Sequence, residues 1–102
     1  MGMRVKLLLT YDVLPEMQDE YYKFMTEELL LWIREQGLVL SDVWHTLYGD
    51  YPMRTVGLVA QDEVHLRQVL DSADWERLEE RIQHFVVNYE KRVVPYRGGL
   101  QF

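Results

Sequence analysis

The stretch Val39-Leu-Ser-Asp-Val-Trp-His-Thr-Leu-Tyr-Gly-Asp-Tyr-Pro-Met-Arg-Thr-Val-Gly-Leu-Val-Ala60 decides the fold. β-branched and aromatic residues fill both arms, and Gly49-Asp50 with Pro52 separates them, so it reads as two strands joined by a tight turn. Side chains alternate along a strand, and a loop of two residues or of four sorts them the same way. Val43, His45 and Leu47 then share a face with Arg54, Val56, Leu58 and Ala60. Trp44, Thr46 and Tyr48 share the other with Met53, Thr55, Gly57 and Val59. The first face is aliphatic and suits packing under helices. The second, aromatic and hydroxyl-bearing, suits a pocket or a wet interface.

Outward from the hairpin, each end of the chain supplies one helical region and one strand. Arg4 to Val13 alternates, with Val5, Leu7, Leu9 and Tyr11 on an apolar face and Lys6, Leu8 and Thr10 on a mixed one. Pro15 opens a helix whose stripe is Met17, Tyr21, Met25, Leu29 and Trp32 or Ile33, and Gly37 stops it. Leu29 to Ile33 is apolar nearly all round, so the last two turns should meet a second structure besides their own sheet. Beyond the hairpin, Asp62 caps a short helix through Leu70, and Ser72 or Asp74 restarts a longer one. Trp75, Leu78, Ile82, Phe85, Tyr89 and Val93 carry that helix to Pro95, and Tyr96 to Phe102 reads as a last edge strand. The apolar Tyr96, Leu100 and Phe102 should be pinned against the sheet or a partner rather than left in water.

The order strand, helix, strand, strand, helix, strand is that of an α+β, ferredoxin-like βαββαβ fold, a single domain over residues 1–102. Both helices would cover one face of a four-stranded antiparallel sheet. The other would expose Leu8, Trp44, Tyr48, Met53 and Val59, an apolar patch that calls for a second copy of the chain.

Composition narrows the function classes. The 102 residues carry 17 acidic and 11 basic side chains, net charge −6, with no basic stripe of the kind nucleic acid requires. There is no cysteine, which removes disulfides and thiolate metal sites. The leucine run Leu7-Leu-Leu9 is too short for a membrane span or a signal peptide. The expectation is a cytoplasmic protein with neither nucleic acid nor membrane as partner.

His45, flanked by Trp44 and Tyr48, is the candidate general base near neutral pH; otherwise it is a core histidine bonded beneath the helices. Tyr48 would be its hydrogen-bonding companion. Trp44, Thr46, Thr55, Lys6, Thr10, Tyr96 and Arg97 are candidate pocket residues, the aromatics as walls and Lys6 or Arg97 to stabilise an enolate or phenolate. A partly polar dimer interface would use the same residues. His65 and His84 lie among charged residues and are expected at the surface. No histidine pair has metal-ligand spacing, and glycine-rich phosphate loops and nucleophile elbows are absent, so no metal or cofactor is expected.

Three segments give the chain a resemblance: Thr10-Tyr-Asp-Val-Leu-Pro15 running into a Tyr- and Phe-bearing helix, Glu35-Gln-Gly37, and Asp74-Trp75. It resembles the dimeric α+β barrel superfamily over nearly its whole length, and within it the NIPSNAP-like and antibiotic-biosynthesis-monooxygenase-like families. The resemblance implies a homodimer whose sheets face each other around a cavity. Such proteins include cofactor-free monooxygenases, isomerases, haem proteins and many without known chemistry, so fold alone does not assign an activity. The Asn-Trp-His set of haem-degrading members is absent. Two readings follow: a cofactor-independent monooxygenase or isomerase acting on a flat aromatic or polyketide-like molecule, or a non-catalytic ligand-binding or stress-type homodimer.

Overall fold

A computed structural model describes residues 3–48 and 51–96; the side chains of residues 42, 44–48, 51 and 52 lie outside the description. The elements are β1 (Val5–Val13), a 3-10 turn (Pro15–Met17), α1 (Gln18–Phe24), a π-helical turn (Met25–Leu29), α2 (Leu30–Glu35), β2 (Val39–Tyr48), β3 (Tyr51–Ala60), α3 (Glu63–Leu70), α4 (Ala73–Ile82) and β4 (Val86–Pro95). The sheet order is β2-β3-β1-β4, with every pairing antiparallel. This is the expected ferredoxin-like α+β architecture.

β1 lies inside the sheet because its odd row is apolar enough to be buried whole. Leu7, Leu9, Tyr11 and Val13 are sealed under the helices with Val56, Leu58 and Ala60 of β3, Leu9 completely. From the first helix come Tyr21, Phe24, Met25, Leu29 and Ile33, and from the second pair Leu66, Val69, Trp75, Leu78 and Ile82. The second structure that the Leu29–Ile33 segment meets is α4: Trp32 stacks on Trp75, with ring centroids 6.3 Å apart. Leu31 remains half exposed.

The caps fall where the sequence places them. Asp62 accepts from the His65 amide at 2.8 Å and Ser72 from the Trp75 amide at 3.1 Å. Gly37 ends the first helix at φ +78, a conformation that costs glycine no Cβ clash. The hairpin pairs Tyr48 with Tyr51 and Thr46 with Met53, the register of a two-residue connection. Near the far end of β2 one extra residue, Ser41, is bulged out, and its hydroxyl donates to the Gly57 carbonyl at 3.3 Å.

One assignment needs correcting. The second long helix stops at Ile82 rather than continuing to Val93, and the last strand is Val86–Pro95 rather than Tyr96–Phe102. Of that expected strand, Tyr96 alone is described; Arg97 to Phe102 lie outside the described residues. The stripe misleads because Phe85, Tyr89 and Val93 are four apart, a spacing that keeps one side in a helix and equally in a strand. Val86-Val87 and Val93-Val94 favour extended backbone, and β1 gains a hydrogen-bonding partner along its second edge. The Leu14 amide donates to the Phe85 carbonyl at 3.0 Å, locking the turn between α4 and β4.

Truncating Leu9 to Ala should destabilise the chain by about 2–5 kcal/mol, the range for a sealed core leucine. The change Val64→Ala, at a mostly exposed helical position, should leave the urea midpoint nearly unmoved. Equal effects would show that the core lies elsewhere.

Candidate functional site

The even rows of the sheet carry no helix. Lys6 pairs with Val59, Leu8 with Gly57 and Thr10 with Thr55 across β3; across β4, Leu8 meets Arg92 and Thr10 meets Glu90. Two depressions run over this open face. A groove of about 610 Å³ is lined by Leu8, Thr10, Glu90, Lys91 and Arg92. Another of about 400 Å³ is lined by Thr10, Asp12, Met53, Asn88 and Glu90 together with Tyr11 and Tyr89. Thr10 and Glu90 border both, so the two adjoin.

The second depression reaches tyrosines of the helix-bearing side because the sheet is interrupted there. Between Thr10–Glu90 and Asp12–Val87 the register shifts, leaving Tyr11 opposite both Asn88 and Tyr89. Asn88 takes φ 58, a left-handed conformation that Asn tolerates better than most residues, and its amide donates to Asp12 at 2.8 Å.

Of the residues expected to line a pocket, the structure brings Lys6, Thr10 and Thr55 onto this one face. Tyr96 follows the end of β4; its amide donates to the Arg4 carbonyl at 2.9 Å. Its ring lies 5.4 Å from the Lys6 ammonium and 5.7 Å from the Arg4 guanidinium, so it borders the basic end. The backbones of Trp44, His45, Thr46 and Tyr48 pair with Thr55, Arg54, Met53 and Tyr51 respectively; their side chains are outside the described residues, as is Arg97 entirely.

Behind the open face lies a polar cluster that the sequence reading passed over. The phenol oxygens of Tyr11 and Tyr21 are 2.6 Å apart. Tyr89 stacks on Tyr11 with centroids 6.3 Å apart and donates to Glu79 at 2.8 Å, and Glu79 also pairs with Lys91 at 2.7 Å. Arg54, paired with Tyr11 across the sheet, lays its guanidinium over the Tyr21 and Tyr22 rings at 5.6 and 5.0 Å and donates to the Tyr22 hydroxyl. The signal available beforehand was a single arginine in the otherwise aliphatic row Val56, Leu58, Ala60, with two adjacent tyrosines on the facing helix.

His65 is likewise more than a surface residue. Its Nδ1 accepts from the Gln61 amide at 3.2 Å, which leaves Nε2–H to donate to the Gln36 carbonyl at 2.7 Å. It therefore ties the end of α2 to the start of α3, while His84 is exposed as expected. Among the described residues, no three His, Asp or Glu side chains stand close enough together to hold a metal ion. No helix among them is long and apolar enough to cross a membrane.

These strands and helices form the ferredoxin-like α+β fold that the chain shares with its structural neighbours. Its structural neighbours are NIPSNAP-domain proteins and antibiotic-biosynthesis-monooxygenase-like proteins. A variant of SnoaB, a cofactor-independent oxygenase from Streptomyces nogalater, matches over 97% of this chain and 98% of its own at TM-score 0.72 and 14% identity. An uncharacterised NIPSNAP domain protein from Burkholderia xenovorans matches over 95% and 99% at TM-score 0.67 and 18% identity. A Deinococcus radiodurans protein, provisionally named an antibiotic biosynthesis monooxygenase, matches over 96% and 97% at TM-score 0.73 and 11% identity. At such identities the likeness is one of fold. No protein-family model matches the sequence, and no curated protein does.

The tyrosines give the fold a pH signature. Burial, above all, raises the Tyr11 phenol, and the adjacent Tyr21 adds to it. Burial also raises Tyr21, and burial followed by the Glu79 carboxylate raises Tyr89. In the unfolded chain these phenols ionise near the ordinary value of 10.0, while the folded protein holds their protons. The unfolded state thus binds fewer protons above that pH, and stability should fall from there upward through the folded values. Urea midpoints should hold through neutrality and drop in alkali, and the drop should be shallower in Tyr11→Phe and Tyr89→Phe. An alkaline limb unchanged in both variants would place its cause outside this cluster.

Proposed function

We propose that the chain acts as a homodimer whose open sheet faces enclose a cavity for a flat, enolisable small molecule. Within it the protein works as a cofactor-independent monooxygenase or isomerase. The observation that carries this reading is the uncovered face itself. Two adjoining depressions combine aliphatic Leu8 and Met53 with Thr10, Asp12, Glu90 and Arg92, while Thr55 pairs with Thr10 beside them and Arg4 and Lys6 flank Tyr96 farther along the face. A face of that character needs a cover, and a second copy supplies one of matching chemistry. The likeness to a cofactor-independent oxygenase supports the choice of reaction class.

In this reading Tyr48 hydrogen-bonds the oxygen of a phenol or enol, Trp44 and Tyr96 hold the ring, Lys6 stabilises the anion, and His45, whose backbone pairs with Arg54 in the other row of β2, takes the proton at the rim of the cavity rather than from its floor. Arg97 is the alternative cation. For isomerisation the proton returns at another carbon. For oxygenation the carbanion adds dioxygen, the peroxide takes back the proton held by the base, and the O–O bond breaks as the same carbon gives up its remaining hydrogen, releasing water and leaving a carbonyl oxygen on the product. Excluding water protects the intermediate.

Sedimentation at micromolar concentration should give about twice the chain mass of 12.3 kDa. A stable monomer would remove the enclosed cavity. Across a panel of polycyclic phenols, turnover should fall about a hundredfold or more in His45→Ala and less in Tyr48→Phe, as expected for a lost base. Variants that keep full turnover would overturn these roles. Saturable binding without turnover would instead indicate a non-catalytic ligand-binding dimer.

A further inference from the structure

On the opposite side of the sheet, beneath the helices, hydrogen-bond donors outnumber acceptors around Arg54. Its Nε is buried and has no acceptor. Among the described residues it otherwise touches the Tyr22 hydroxyl and the faces of the Tyr21 and Tyr22 rings, and it forms no ion pair with a carboxylate there. Tyr11 and Tyr21 share one hydrogen bond between two hydroxyls. Whichever of them donates, the other still carries an O–H without an acceptor among the described residues. Both tyrosines are almost wholly buried, so water is poorly placed to satisfy it.

Unmet donors beside a cation are costly in the interior unless an acceptor arrives. A guanidinium held flat on aromatic rings also presents its N–H edge in a fixed direction, the arrangement that suits an anionic oxygen. The helix above is built to place these rings. The π-helical turn begins immediately after Phe24, and the Met25 amide bonds to both the Tyr21 and Tyr22 carbonyls.

We propose that Arg54, with the Tyr11–Tyr21 phenol pair, forms an anion-binding site under the first helix for the carboxylate or enolate oxygen of a small organic acid. The anion accepts from Nε and from the unspent phenol hydrogen, supplying both missing acceptors at once. Tyr22, half exposed, is the outer wall of the cluster, and entry requires its ring to swing outward, exchanging its bond to Arg54 for one to water or ligand. The site lies on the other side of the sheet from the proposed cavity and does not rest on that reading.

The test titrates the full chain with benzoate and with its neutral isostere benzamide, following the assigned side-chain resonances of its tyrosines and threonines by NMR. Benzoate should shift Tyr21 and Tyr22 saturably, and benzamide should bind at least about tenfold more weakly, a difference of about 1.4 kcal/mol. Arg54→Met should lose the benzoate response, and Arg54→Lys should keep part of it. The benzoate–benzamide comparison on the unaltered protein decides the matter even if Arg54→Met does not fold. Equal binding of the two probes would overturn the proposal, as would benzoate shifts confined to Thr10, Thr55 and Tyr96 on the open face, or no tyrosine shift at millimolar benzoate. A failed dimer in sedimentation would bear on the cavity alone.

Discussion

The constraint on which the structure depends is the double engagement of β1. Its backbone is hydrogen-bonded along both edges, to β3 and to β4, while its odd side chains form the floor of the core. An apolar strand buried on one face loses the solvent that would otherwise satisfy its amides and carbonyls, so both edges must be paired inside the protein. That requirement makes Val86–Pro95 a strand. It also brings α4 back across the sheet, where Trp75 can close the core against Trp32.

Both places where the sheet departs from regular pairing serve its shape. On both sides of the extra residue at Ser41 the outer strand lies clear of the helices: Leu40 and Val43 are exposed although they pair with the buried Leu58 and Val56. At Asn88 the opposite edge gains a residue, which connects the open-face depression to Tyr11 and Tyr89. A bulge strengthens local twist and re-aims side chains.

The two faces of this sheet have different chemistry. The open face mixes threonines, aliphatic residues and cations in a protein whose net charge is −6, so its basic end stands out against the whole. The helix-bearing face is apolar except where Arg54 meets the tyrosines. A structural reason for that cluster exists, since the rings shield the charge and the phenols bond one another. It leaves the Nε hydrogen and one phenol hydrogen unaccounted for.

Much of the fold was legible in the sequence because its signals are local. The alternation of Val5 to Tyr11, the Gly49-Asp50 connection, the caps Asp62 and Ser72 and the left-handed Gly37 each rest on a few neighbouring residues. The order of strands and helices was then enough to give the sheet, and alternation was enough to gather Lys6, Thr10 and Thr55 on one face. The stretch from Val86 to Pro95 was not legible in this way. A repeat of four residues satisfies helix and strand alike, and only the unpaired edge of β1 chooses between them for Val86–Pro95. The same holds for the polar cluster. Tyr11, Tyr21 and Arg54 are separated by 10 and 33 positions, and nothing local to any of them indicates the others. Only the β1–β3 register and the seating of the first helix bring them together, and only there does burial turn an ordinary arginine and two ordinary phenols into donors short of acceptors.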